Sequence, residues 1–502
     1  MHKRFLLPVV VLAIGGCQLA PEHQRPMLPT NSQYPAVLQS QQGTVVARET
    51  SWNTFFLDPR LRVLIETALQ NNRDMQIAVT RIEEARGQFR VRNADRYPTL
   101  ALGASAARSR SAIPAGAAGS SGAAGGLSGV GVTERFSVQV GVSSFELDFW
   151  GRVRNLTESA RAQYLATVEA QEAFRLSLLG DVAATYMSIR SAVQRIQLAE
   201  STVENRRDEV RISRVRLDAG IASALEFNQA QSLLLQAQTR LAELRLTLAQ
   251  QQNYLGLLTG ASPADPLPEP LTLDRQLPDT ALAAGLPSEL LYSRPDIIAA
   301  EERLRSARAN IGVARAAFFP SISLTGNAGY ASGELSGLIS SDNEFWSIGP
   351  SITLPLFDFG GREANLTVAE ARENIAIAEY ERAVQVAFRE VADTLAGRRY
   401  LAEQLALQKE NVFTLGNIAE LARDRYDEGV VSFLQVLDAE RTLFEAEQGL
   451  VQIQRAKMEN LVNLYIALGG GASAAETDGE GAAVGKSRKP DDVLVGGQSP
   501  QS

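Results

Sequence analysis

Two stretches of strict alternation stand out near the middle of the chain. In 321–331, Ile322, Leu324, Ala328 and Tyr330 alternate with Ser321, Ser323, Thr325, Asn327 and Gly329. In 346–356, Trp346, Ile348, Ile352, Leu354 and Leu356 alternate with Ser347, Gly349, Ser351 and Thr353. A period of two predicts β-strands with one apolar and one polar face. The first half carries weaker counterparts at 99–106 and 136–142. At about ten residues each, such strands fit transmembrane β-strands, apolar toward lipid and polar toward a lumen. A soluble sheet packed on one side has the same alternation. Pro350 and Pro355 lack backbone donors, which places them at an end or irregular position of the last strand.

The remaining pattern is helical and long. No proline occurs from Gly151 to Ser262, nor from Gly361 to Lys489. The segments 152–218 and 362–427 each predict a helix on the order of 100 Å at about 1.5 Å per residue. Ile196, Val203, Val210 and Leu217 recur every seven residues, as do Leu405, Val412, Ala419 and Tyr426. That spacing predicts coiled-coil packing. Gly220 and Gly429 end the runs, and Ser223 and Ser432 are candidate caps for returning helices 224–258 and 433–468. Shorter helices are expected at 60–97 and about 288–319, each stopped by the restriction a proline places on its predecessor, here Tyr97 and Phe319.

The elements occur twice in the same order. "DFWGR" at 148–152 parallels "DFGGR" at 358–362, and "RLDAGIAS" (216–223) parallels "RYDEGVVS" (425–432). "LTG" at 258–260 is aligned with "LGG" at 468–470. The chain therefore divides into a signal peptide (1–16), a leader (17–51), a first repeat (52–260), a connector (261–284), a second repeat (285–470) and a Gly/Ala/Asp-rich tail expected to be disordered (471–502). The "DFxGR" junctions are read as hinges from membrane strand to water-exposed helix, with Phe149, Trp150, Phe357 and Phe359 at the membrane interface. Both junctions run into "NLT", a chance match to the glycosylation pattern.

Four strands cannot close a barrel, and an unpaired sheet edge within a bilayer costs several kcal/mol per group. Two copies would supply eight strands and three would supply twelve. The strands are thus either soluble or shared between chains.

Composition narrows the chemistry. Of 502 residues, only two are histidine and one is cysteine. His2 falls in the signal, so His-based triads, Cys/His pairs and zinc clusters are excluded. A net charge of −8 argues against a nucleic-acid partner. A carboxylate-only enzyme stays open on this inventory, but no pair of Asp or Glu is set apart for that role, so an enzyme is not the expectation. "HKR", "FLLPVVVLAI" and "GGCQ" read as a signal peptide. They resemble a bacterial lipobox, with Gly15 less usual than Ala, Ser or Thr. That resemblance implies acylation of Cys17, and Gln18 in place of Asp implies outer-membrane sorting.

"GLPSELLYSRPDI" (285–297) and "RYDEGVVSFLQVLDAERTLFEAEQ" (425–448) resemble the TolC-type outer-membrane factors, in their NodT-like lipoprotein branch serving RND efflux pumps. The resemblance covers about 17–470. It implies a mainly α protein with a membrane β-barrel: four strands and two long helical hairpins per chain, a homotrimer, a twelve-stranded barrel and an α-helical periplasmic tunnel. It further implies a passive exit duct, without cofactor, partnered by a periplasmic adaptor and an inner-membrane RND pump. Cargo would be small molecules such as drugs or toxic organics. A type I protein-secretion duct is the alternative, and a coiled-coil spacer without a pore is a third reading that the amphipathic strands oppose. By family position, Leu434, Asp438 and Arg441, with Tyr426 nearby, would form the periplasmic gate. Leu225, Gln229 and Ser232, at the same positions of the first repeat, lack the ion pair. The hairpin tips at Gly220, Ser223, Gly429 and Ser432 would meet the adaptor.

Overall fold

A computed structural model of the chain describes residues 18–26, 45–112, 130–261, 266–278, 282 and 290–471. Cys17 and the signal peptide, the Gly/Ala-rich stretch 113–129, much of the connector with the start of the "GLPS" motif, and the tail from 472 lie outside the described residues. The labelled elements in chain order are α1 (Pro59–Asn71), α2 (Arg73–Ala94), β1 (Leu100–Ala112), β2 (Val130–Glu146), α3 (Arg152–Asp218), α4 (Ala224–Thr259), α5 (Pro295–Ala316), β3 (Ser321–Ser332), β4 (Glu344–Thr353), α6 (Gly361–Asp427) and α7 (Phe433–Ala467). Two compact units take pieces of both repeats: one gathers 81–168 and 299–380 with the run 18–26, the other 45–80, 169–298 and 381–471.

The first unit contains an antiparallel sheet in the order β1-β2-β3-β4. Its registers line up rows of like character. Leu102 lies opposite Val140, Val140 opposite Ala328, and Ala328 opposite Trp346. The neighbouring row on this face holds Leu100, Val142, Gly326 and Ile348. Leu102 is 74% exposed and Trp346 72%. The other face is small and hydrogen-bonded: Ser105 to Ser137 (2.8 Å), Asn327 to Gln139 (3.0 Å), Ser323 to Ser351 (2.7 Å) and Ser347 to Asn327. Water-exposed apolar area costs about 25 cal/mol per Å², so a bare apolar face of this kind needs cover.

β2 is longer than the expected 136–142, and a bulge between Val142 and Phe145 shifts its register on β3. Pro350 is neither at an end of β4 nor irregular: it pairs in regular register with Leu324, tolerated because β4 is the sheet's edge strand, while β4 ends at Thr353, before Pro355.

The hinges differ from expectation in one respect. Asp148 and Asp358 cap the helices as expected, accepting from the backbone N–H of Arg154 (2.7 Å) and Arg362 (3.0 Å). Phe357 and Phe359 are almost wholly exposed, as an interface aromatic would be. Trp150 instead turns inward. It stacks on Phe319 at 4.6 Å and donates to the Pro320 carbonyl at 2.8 Å, which fastens the hinge to the start of β3. The "NLT" match is also settled at its first copy, because Asn155 is fully buried.

In the second unit, α3 and α4 form one hairpin and α6 and α7 another. Ile196, Ala199 and Val203 of α3 pack with Ala237, Leu241 and Leu244 of α4. The expected helix 60–97 is interrupted at Asn72, whose backbone is extended. Its side chain caps α2 through Met75 N–H (2.9 Å) and donates to the Leu258 carbonyl (2.9 Å). The second repeat breaks at the equivalent Arg294, which donates to the Ala467 carbonyl (3.2 Å). Gly260 and Gly469, both with positive φ, press against the carbonyls of Asn71 and Ser293, where a Cβ would collide. The structural equivalent of Gly260 is therefore Gly469, one residue from the alignment read in the sequence.

Candidate functional site

The hairpin tips are built alike. Gly220 (φ 72°) and Gly429 (φ 75°) adopt the left-handed conformation that glycine tolerates best. Ile221 N–H bonds to Arg216 O and Val430 N–H to Arg425 O, both at 2.8 Å. With Gly220 N–H to Leu217 O and Gly429 N–H to Tyr426 O, each tip is a Schellman turn. Ser223 caps α4 through Glu226 N–H at 3.2 Å. Ser432, expected as the matching cap, makes no such bond and is exposed.

The sequence-expected gate residues lie along this end of the second hairpin. Leu434 is exposed. Arg441 reaches back to Asp438 at 2.8 Å and forward to Glu445 at 3.1 Å. All three charged groups are exposed, and such pairs contribute about 0–1 kcal/mol. Tyr426 stands apart from them. Its ring meets Phe433 at 5.1 Å, and the Arg216 guanidinium lies over it at 5.4 Å. Leu225, Gln229 and Ser232 of the first hairpin form no comparable charged ladder.

A second charged group was not anticipated. Arg206 and Glu209 on α3, Arg423 on α6 and Glu440 on α7 form a closed ring. Arg206 Nη1 lies 2.8 Å from Glu209 and 3.1 Å from Glu440. Arg423 Nη2 lies 3.2 Å from Glu209 and also holds Glu440. Each guanidinium thus bridges both carboxylates, and the ring ties the first hairpin to both helices of the second. Arg206 is 4% exposed and Glu209 7%. Burial, reinforced by the neighbouring Glu440, pushes the Glu209 carboxyl up to about 7. The signal was present in the sequence. With Ile196 and Val203 at one seam position, Ala199, Arg206 and Ser213 fall at the other, so a cation occupies a core heptad site.

On one side of this ring lies a cavity of about 280 Å³, lined by Ser213, Glu226 and Phe433 among others. Among the described residues no group of His, Cys, Asp or Glu is arranged to hold a metal ion, and no helix is long and apolar enough to cross a membrane.

The run after Cys17 is held on α5. Arg315 donates to Leu19 O (3.3 Å), Arg308 to Gln24 O (2.6 Å), and Arg25 to Glu301 (2.9 Å). His23 bridges Arg308 and Glu301 at 3.1 Å each. The segment therefore runs antiparallel to α5, with Leu19 near the end that leads into β3.

The profile of the family described as "Outer membrane efflux protein" matches residues 64–261 and 286–470. Cation efflux system protein CusC of Escherichia coli O6:H1 is 40% identical over 472 residues, 93% of this chain and 98% of that protein. The solvent efflux pump outer membrane protein SrpC of Pseudomonas putida is 40% identical over 485 residues, 95% of this chain and 100% of that protein. The open-state structure of the Neisseria gonorrhoeae MtrE outer membrane channel is similar with a TM-score of 0.81 at 36% identity, covering 91% of this chain and 99% of that one. With a bare apolar sheet face, duplicated hairpins and these matches over nearly its whole length, the chain belongs to the outer membrane efflux protein family and is an outer-membrane efflux channel.

Proposed function

We propose that the protein is the exit duct of a tripartite efflux system, assembled as a homotrimer and passive in itself, with no catalytic role. One observation carries this reading: a four-stranded sheet with one exposed apolar face, one polar face and two open edges. Within a bilayer those edges must be paired by other copies. Three copies would give a barrel of twelve strands, wide enough for a water-filled lumen. Uncovered apolar side chains on the hairpins, including Leu235, Leu257, Leu407 and Phe413, support burial against neighbouring copies.

The repeats at 52–260 and 285–470 would each supply one strand pair and one hairpin. The tips at Gly220, Ser223, Gly429 and Ser432 would dock a periplasmic adaptor linked to an inner-membrane pump of the RND class. Acylated Cys17 would anchor the chain. Leu19, two residues on in the sequence, is held beside the end of α5 that leads into β3. Leu434, Asp438 and Arg441, with Tyr426, would close the periplasmic end. The relatives' names mention cations, solvents and toluene, so the cargo proposed is small solutes.

Purified protein in planar bilayers tests the duct directly. A heat-modifiable trimer should carry current, and the Asp438→Ala, Arg441→Ala double variant should conduct several-fold more by losing its ionic ring. A monomer in detergent that never passes current overturns the duct, and unchanged conductance in the double variant removes the gate assignment.

A further inference from the structure

The ring of Arg206, Glu209, Arg423 and Glu440 is separate from the exposed Asp438–Arg441 pair, and it is the buried charged group that spans both hairpins. We infer that Glu209 is a positioning residue for the gate: the proton it takes up fastens the second hairpin to the first, so the duct closes more firmly in mild acid and loosens as the proton leaves. This inference rests on the duct reading above.

The geometry favours a proton-linked state. Two carboxylates are held by the same two guanidinium nitrogens, which brings a second negative charge against Glu209, whose own side chain is almost closed to water. Burying a second anion there costs several kcal/mol unless it is fully compensated. The groups facing Glu209 are Arg206 on its own helix, Arg423 with Asp427 on α6, Glu440 on α7, and Glu226 of α4 on the shared cavity. Arg423 is more than half exposed, so water screens its compensation. Glu440 and Asp427 oppose it.

The sign follows from linkage. In the fastened state the Glu209 carboxyl keeps its proton up to about 7, well above the ordinary value of 4.5 that it regains once the hairpins part and water reaches it. The fastened state therefore binds the proton more tightly. Its advantage is fully present below the ordinary value and is lost as pH rises through about 7. Every factor of about ten in proton affinity between the two states becomes the same factor in the equilibrium between fastened and parted hairpins, per protomer. The Asp438–Arg441 pair, by contrast, is exposed.

The experiment is open probability against pH, from mildly acidic to mildly alkaline, on the reconstituted full-length protein. The expected result for the unaltered channel is a rise of at least several-fold centred near neutrality. Glu209→Gln, a neutral mimic of the protonated carboxyl, should abolish the rise and hold the channel at its acid level. Glu440→Gln, which removes the opposing charge, should keep the rise but move its midpoint to lower pH. Asp438→Ala should leave the midpoint where it is. Should Glu209→Gln fail to assemble as a heat-modifiable trimer, the Glu440→Gln midpoint decides. A conducting channel whose open probability ignores pH overturns the inference, as does a Glu209→Gln channel that keeps the rise or a Glu440→Gln midpoint that stays put; in each case the duct stands. A folded trimer that conducts at no pH instead removes the duct reading and this inference with it.

Discussion

Replacing Asp58 with alanine should cost about 3–5 kcal/mol of stability, the range for breaking a buried, fully bonded charge. Asp58 is completely buried. One oxygen caps α1 through Arg60 N–H (2.8 Å) and Leu61 N–H (3.4 Å). The other accepts from Tyr186 Oη (2.9 Å), Leu271 N–H (3.0 Å) and the Gln276 side chain (2.8 Å). The carboxylate thus joins α1, α3 and the connector, and alanine would strand the buried Tyr186 hydroxyl and Leu61 N–H, while the Gln276 amide keeps the Leu271 and Thr272 carbonyls. Burial and the Asp58 charge push the Tyr186 phenol up, which keeps it a donor at any ordinary pH. Asp58→Asn should recover less than half the loss, since its amide can satisfy the cap but turns a donor toward the remaining three. Denaturant midpoints for the three proteins check the ranking; a difference under about 1 kcal/mol between alanine and the unaltered chain would contradict it.

Arg294→Ala should follow at about 3 kcal/mol. The Arg294 guanidinium grips Asp296 through Nε and Nη2 (3.0 and 2.7 Å) and Glu390 through Nη1 (2.8 Å), while Nη1 also reaches the Ala467 carbonyl. Three segments meet on one planar fork: the start of α5, the middle of α6 and the end of α7. Lysine keeps the charge but not the fork, so Arg294→Lys should rescue only part of the loss. Asn72→Ala, the matching change in the first repeat, removes neutral bonds and should cost only about 1–2 kcal/mol. Thermal unfolding of the three variants measures the order, and equal losses at positions 72 and 294 would reject the argument.

Much of the fold was legible because the repeat states it twice. The long helices were expected at 152–218 and 362–427 and are found at Arg152–Asp218 and Gly361–Asp427. Absence of proline, and glycine at a common offset, mark such boundaries locally. The break at Asn72 was not legible, because what stops the helix there is the Leu258 carbonyl, distant in sequence. The true reach of β2 was hidden by its Gly, Ser and Thr flanks, which carry little alternation. Trp150 has the character of an interface aromatic, and only the fold shows that its indole N–H has a partner at Pro320. At the candidate gate, Asp438 and Arg441 were found by family position and do pair, yet the ring around Arg206 and Glu209 was not foreseen. A cation at a heptad seam reads as an imperfection until the opposing helices bring carboxylates to it.

The open sheet edges bear on biogenesis. A solitary subunit presents unbonded strand backbone on the outer flanks of β1 and β4, so under the proposed assembly it would not enter lipid by itself, and insertion and association would be one event. Subunits crippled in a strand would then be dominant in mixed cells. For the homotrimer proposed above, with equal expression of sound and defective copies and random mixing, only about one assembly in eight would be free of a faulty seam.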